Sequence, residues 1–72
     1  MIKRPQCAVN PSLMEIWPID EWSRKIIIDT VSNQKIEFTL NQTTMGTPAL
    51  RMNNIEDYEK ALSTIKDIEI EN

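Results

Sequence analysis

The stretch WSRKIIIDTVSNQKIEFTL, residues 22–40, decides the predicted fold. Two runs in it place apolar residues at alternate positions: Trp22, Ile26 and Ile28, and then Ile36, Phe38 and Leu40. Alternate side chains of a β-strand point to opposite faces of the sheet, so a period of two predicts strands with one apolar face. We therefore predict a hairpin of two antiparallel strands, 22–31 and 35–40.

The length of the loop fixes how these two strands pair. A three-residue loop, Ser32-Asn33-Gln34, sets Ile28 opposite Phe38 and keeps the apolar residues on one face. A two-residue loop sets Ile28 opposite Glu37 and mixes the faces. The pattern favours the three-residue loop.

Residues 55–66 are predicted to form a helix. Asn54 is a favoured capping residue, and Asp57 stands three positions later, where a carboxylate reaches back to the cap. One apolar stripe recurs at spacings of three, four and three: Ile55, Tyr58, Leu62 and Ile65.

The rest of the chain adds little regular structure. Residues 41–48 hold the only glycine among small polar residues and predict a loop, and ALRMN at 49–53 predicts a brief third strand. The alternation IEIE at 68–71 favours a strand over an extension of the helix. The predicted fold class is α+β, a small antiparallel sheet packed by one C-terminal helix.

The predicted organisation is an extended arm, residues 1–11, followed by a single small domain, residues 12–72. At the boundary between arm and domain, Asn10-Pro11 predicts the start of a short helix, which Pro18 ends at about Ile16. The predicted core is the apolar face shared by hairpin and helix: Ile26, Ile28, Ile36, Phe38, Leu40, Ile55, Tyr58, Leu62 and Ile65.

The composition argues against an enzyme. Histidine is absent, which removes the commonest general base and transition-metal ligand, and Cys7 alone cannot build a zinc site. Phosphate-binding loops need two or three glycines, whereas Gly46 is the only one. We predict no catalytic residues, no metal and no cofactor.

The same features bear on location. A lone cysteine is typical of a reducing compartment, and no apolar run follows MIKR as it would in a signal peptide. The longest uninterrupted apolar run is Ile26–Ile28, far below the roughly 18 residues of a membrane helix. We expect a cytoplasmic protein, in the host cytoplasm if a phage encodes it, with no membrane partner.

The segment SLMEIWPIDEW, residues 12–22, concentrates both tryptophans. Trp22 continues the inward face of the predicted hairpin, whereas Trp17 precedes Pro18 in a segment without periodicity. Trp17 is therefore either a lid over the small core or part of an interface, in which tryptophan is enriched. The predicted partner-binding residues of this segment are Leu13, Met14, Ile16 and Trp17.

Charge adds two residues to this set. Eleven acids and eight bases give a net charge of −3, and residues 55–72, with six acids and two bases, carry −4. A partner protein with a basic surface is therefore predicted, contacting Glu69 and Glu71. Direct binding of nucleic acid is disfavoured, since four dispersed bases along the hairpin make no basic patch.

These features favour a small non-enzymatic protein that binds and inhibits or modulates a larger host protein, with proteins that handle nucleic acid as one class of partner. Eleven isoleucines and six asparagines indicate AT-rich coding DNA. In size, charge and order of elements the chain resembles small phage-encoded inhibitors of host enzymes, so a phage or another mobile element is the expected source. The alternatives are a small structural or assembly subunit that homo-oligomerises, and a nucleic-acid-binding accessory factor.

Overall fold

A computed structural model describes residues 2–42 and 48–71 of the chain. It confirms the α+β class, with two antiparallel sheets and two helices. The central part of the predicted loop, residues 43–47, lies outside the described residues. In chain order the elements are β1 (Ile2–Lys3), β2 (Cys7–Asn10), β3 (Glu15–Pro18), α1 (Glu21–Asn33), β4 (Phe38–Gln42), β5 (Pro48–Met52), α2 (Ile55–Lys66) and β6 (Ile70–Glu71).

The main sheet has four antiparallel strands in the order β2-β3-β5-β4. Because β5 lies between β3 and β4, these two strands run parallel, and α1 connects them in a split β-α-β unit. Both helices pack on the face that carries Ile16, Leu50 and Met52. The short strands β1 and β6 pair with each other in a second sheet.

The predicted strand 22–31 is wrong, because these residues belong to helix α1. The Asp20 carboxylate caps the helix by accepting the Ser23 backbone N–H at 2.7 Å. This hydrogen bond, together with one from the Ser23 hydroxyl, holds the pKa of Asp20 below its usual value. Ser23, Ile27 and Val31, spaced four apart, are the buried residues of the helix, so the true period is helical.

Because residues 22–31 form a helix, the next strand cannot pair with them as predicted. The predicted second strand, 35–40, is replaced by β4, which pairs with β5 and not with residues 22–31. Phe38 lies opposite Met52, and Leu40 lies opposite Leu50. The predicted third strand is thus confirmed as β5, but it occupies the centre of the sheet.

The short helix predicted after Asn10 is also wrong. Residues 11–14 form the turn of a hairpin between β2 and β3, in which the Leu13 N–H donates to the Asn10 carbonyl at 3.2 Å. Met14 has a φ of 55°, a left-handed conformation that closes this turn. The segment predicted as an extended arm therefore contains β1 and the sheet strand β2.

Helix α2 confirms the predicted range 55–66 and its cap. The Asp57 N–H donates to Asn54 Oδ1 at 2.8 Å, and the Asn54 amide donates to the Asp57 carboxylate at 3.1 Å. Residues Ile70–Glu71 form β6, which confirms the predicted final strand.

The core only partly follows the prediction. Ile36, Tyr58 and Ile65 are buried as predicted, while Leu40 and Ile55 are 53% and 52% exposed. Ile28, Phe38 and Leu62 are partly buried against the core, and Ile26 is partly buried outside it. The core residues absent from the prediction are Ile16, Ile27, Val31, Ala49, Leu50, Met52 and Ala61. Most of them come from the unexpected helix and from the two central strands.

Candidate functional site

The face of the main sheet that points away from the helices, here called the open face, is the candidate site. Ile16 points to the helices, so its neighbours Glu15 and Trp17 point to the opposite face. Neither helix packs on this face within the described residues. The strand register places eight side chains on it: Ala8, Asn10, Glu15, Trp17, Thr39, Asn41, Ala49 and Arg51.

Trp17 is the large apolar side chain of the open face. It lies in β3 opposite Ala8, is partly exposed, and its indole Nε1 donates to Glu15 Oε1 at 3.2 Å. Continuing the β3–β5 register places Trp17 beside Ala49, which is only 1% exposed. The short alanine side chain leaves room for the indole on the sheet.

Glu15 joins Trp17 to Arg51. Its carboxylate lies 3.7 Å from the Arg51 guanidinium on the adjacent strand, directly opposite in the register. The Glu15 side chain is 9% exposed, whereas that of Arg51 is 44% exposed. A buried carboxylate thus contacts two partly exposed side chains, the indole through a hydrogen bond and the guanidinium through an ion pair, and these contacts reduce the conformational entropy that the two side chains lose on binding.

The structure separates the residues predicted to bind a partner in segment 12–22. Trp17 lies on the open face, but Ile16 is fully buried in the core, so it cannot contact a partner. Leu13 is 44% exposed in the β2–β3 turn, and Met14 beside it packs partly against the core. Only Trp17 of the four is part of the open face.

The two predicted acidic residues lie elsewhere. Glu69 forms an ion pair with Arg4, and Glu71 lies in β6 opposite Ile2. Both follow α2, which packs on the other face of the sheet, so the structure does not bring them next to Trp17.

Trp17, Glu15 and Arg51 form a cluster on the open face, and two of its residues, Glu15 and Arg51, were absent from the predicted site. Glu15 stands two positions before Trp17, and had segment 15–18 been recognised as a strand, this spacing would have placed both on one face. Arg51 comes from a distant part of the chain and carries no local signal. Its role depends on the pairing of β3 with β5.

Trp22, by contrast, is part of the helical layer. It is partly exposed on α1, and the Lys3 ammonium lies 4.2 Å from the centre of its ring. This cation–π contact ties β1 to the first turn of α1. The two tryptophans therefore lie on different surfaces.

Two of the described side chains that could react, Cys7 and Tyr58, have a raised pKa. Burial raises the pKa of the half-buried Cys7 thiol, so it is protonated and weakly nucleophilic at neutral pH. Burial, and then the proximity of Cys7, also raise the pKa of Tyr58. Among residues 2–42 and 48–71, no three potential metal ligands lie together, and neither helix is long and apolar enough to cross a membrane.

Among its described residues the molecule thus has an α+β fold with a cluster of Trp17, Glu15 and Arg51 on a sheet face that neither helix covers. No known protein family, curated protein or solved structure matches the chain.

Proposed function

We propose that this chain is a small non-enzymatic intracellular protein that binds a larger protein through its open face. Trp17 and Arg51 are the anchors, and binding inhibits or modulates the partner, as in small proteins carried by phages and other mobile elements. The observation that supports this proposal is the cluster in which the buried Glu15 carboxylate orients both anchors.

The residue types of the cluster support protein binding. Tryptophan and arginine are two of the three residue types most enriched among interface positions that dominate binding energy. Both are partly exposed here and already held in place, so little ordering is needed when a partner docks. A domain this small acts most simply by covering a functional surface of a larger protein.

Arg51 and Arg24 form a matched pair of variants that tests the face used. Their side chains are 44% and 40% exposed, and each lies 3.7 Å from a glutamate, Arg51 on the open face and Arg24 on α1. We expect wild type to capture one stoichiometric protein from a lysate of the expressing cell. Arg51→Glu should lose this protein and Arg24→Glu should retain it.

Three outcomes of this capture would contradict the proposal. Equal capture by both variants would move the binding surface away from the open face. Retention of nucleic acid in a salt-sensitive manner would favour the accessory factor, since aromatic residues on sheets also stack on bases. Recovery of this chain alone would favour the assembly subunit.

The acidic C-terminal region leads to a second proposed property, a basic surface on the partner. Glu71 is exposed in β6, whereas Glu69 is already paired with Arg4. A change at Glu71 therefore alters the charge without breaking the Arg4–Glu69 ion pair. Glu71→Lys should slow association at low salt and reduce its salt dependence, because exposed charges act mainly on the association rate.

Lys60→Glu on the exposed side of α2 provides the opposite change and should accelerate association. Stopped-flow or surface-based kinetics with the captured partner would measure both rates. Unchanged rates in both variants would exclude the acidic region from recognition.

A further inference from the structure

The two edges of the main sheet differ in how they are protected. Edge strand β2 has four residues, with Pro5 shortly before it and Pro11 directly after it, and prolines hinder the pairing of another strand. Edge strand β4 has five residues, FTLNQ, with neither a proline nor a charge. Such an edge offers unpaired backbone groups to another strand.

Leu40 lies at the centre of this unprotected edge. It is 53% exposed, whereas Leu50, directly opposite on β5, is fully buried. Both leucines point to the helix side of the sheet, but Leu40 lies at its rim. A strand added beside β4 would cover the exposed part of this side chain.

We propose that β4 pairs in antiparallel fashion with β4 of a second copy of this chain, with Leu40 of the two copies opposite each other. The register sets Phe38 opposite Gln42 and Thr39 opposite Asn41 of the second copy. The two-fold axis passes beside Leu40, so the contact uses the same surface on both copies and closes at a dimer.

Charge supports this orientation. Glu37 directly precedes β4, and antiparallel pairing places the two copies of Glu37 at opposite ends, about 20 Å apart for six residues of strand. Parallel pairing in register would set the two glutamates side by side, which is destabilising. No other charged residue lies in the paired segment.

The dimer has one continuous sheet of eight strands with both open faces on the same side. The two Trp17 side chains are then separated by five strand spacings, about 24 Å across the sheet. The significance of this spacing rests on the proposed function, because it presents two identical binding clusters to one partner. The strand pairing itself does not depend on that proposal.

Sedimentation equilibrium over a wide concentration range tests the dimer with a matched pair of leucine variants. Wild type should dimerise, and Leu40→Lys, which sets two ammonium groups opposite each other, should raise the dissociation constant at least about tenfold. Leu13→Lys changes a leucine of similar exposure, 44%, in the β2–β3 turn and should leave the dimer unchanged.

Cysteine crosslinking tests the register of the paired strands. It uses other variants, so it remains informative even if Leu40→Lys does not fold. In a Cys7→Ser background, Leu40→Cys should form a disulfide between copies, since opposed Cα atoms lie about 4.5 to 5.5 Å apart. Thr39→Cys should not, because its opposite residue is Asn41.

The proposal is overturned if wild type is monomeric at every concentration, if Leu40→Lys dimerises as well as wild type, or if Thr39→Cys crosslinks as readily as Leu40→Cys. A monomer that pairs β4 with a strand of a foreign protein also overturns it. Partner capture and dimerisation are measured separately. An Arg51→Glu variant that loses the captured partner but still dimerises would separate the partner-binding surface from the dimer contact.

Discussion

Ile27→Ala is expected to lower the free energy of unfolding by about 2 to 5 kcal/mol, which is most of the stability of a domain of this size. Ile27 is fully buried on the inner face of α1, in the cluster that joins the helices to β3 and β5. Truncation removes three carbon atoms and leaves a cavity that a rigid two-layer domain can close only in part. Chemical denaturation followed by circular dichroism measures the loss.

Ile26→Ala is the matched control, one residue earlier in the same helix. Ile26 is partly exposed and lies outside the core cluster, so its truncation should cost less than half as much as that of Ile27. In a strand the adjacent residue would have the opposite environment, and Ile26 would be the core residue. A larger loss at Ile26 than at Ile27 would therefore restore the predicted hairpin.

The two helices differ in how well the sequence alone predicts them. In α2 the cap at Asn54 and the apolar stripe agree, and no other period fits, so the helix was predicted with its correct bounds. In α1 three consecutive isoleucines satisfy a period of two as well as a helical one. The β-branched residues favour a strand locally, whereas the Asp20 cap and burial against the sheet stabilise the helix.

The N-terminal hairpin was missed because its prolines suggested breaks in regular structure. Pro11 lies in the turn, and Pro18 is the last residue of β3, where the strand ends. Once β2 and β3 are strands, Ile16 and Trp17 must point to opposite faces of the sheet. The sequence alone could not choose between these faces, because it does not specify where the helices pack.

The candidate site was therefore predictable only in part. Trp17 was singled out by its residue type and by the lack of an element to bury it. Its neighbour Glu15 required the strand assignment, and Arg51 required the order of strands in the sheet, a non-local property. Glu69 is predicted to contact a basic partner, yet within the chain it pairs with Arg4, which is 65 positions away in the sequence.

Trp17→Ala is expected to weaken binding of the captured partner by at least about 2 kcal/mol, roughly a thirtyfold rise in the dissociation constant. The indole is the largest apolar group of the open face, and Glu15 already fixes its orientation, so its loss removes contact area that costs little to order. Isothermal titration calorimetry with the purified partner gives the affinity. Denaturation of the free variant gives the change in stability, which must be known because the indole also lies beside the buried Ala49.

Trp17→Phe separates binding from folding. The phenyl ring still occupies the sheet beside Ala49, but it has no N–H to donate to Glu15 and offers a smaller surface. We expect it to retain most of the stability lost in Trp17→Ala while leaving binding weaker than in wild type. Binding that follows stability alone across the two variants would make Trp17 a structural residue.

Trp22→Ala removes the same side chain from the helical layer and is the control for this series. It should leave the affinity within about twofold of wild type, since exposed changes outside an interface contribute little. Its cost should appear in folding, because it removes the cation–π contact with Lys3 that ties β1 to α1. If Trp22→Ala weakens binding as much as Trp17→Ala does, the partner must contact the helical layer, and the open face would no longer account for recognition.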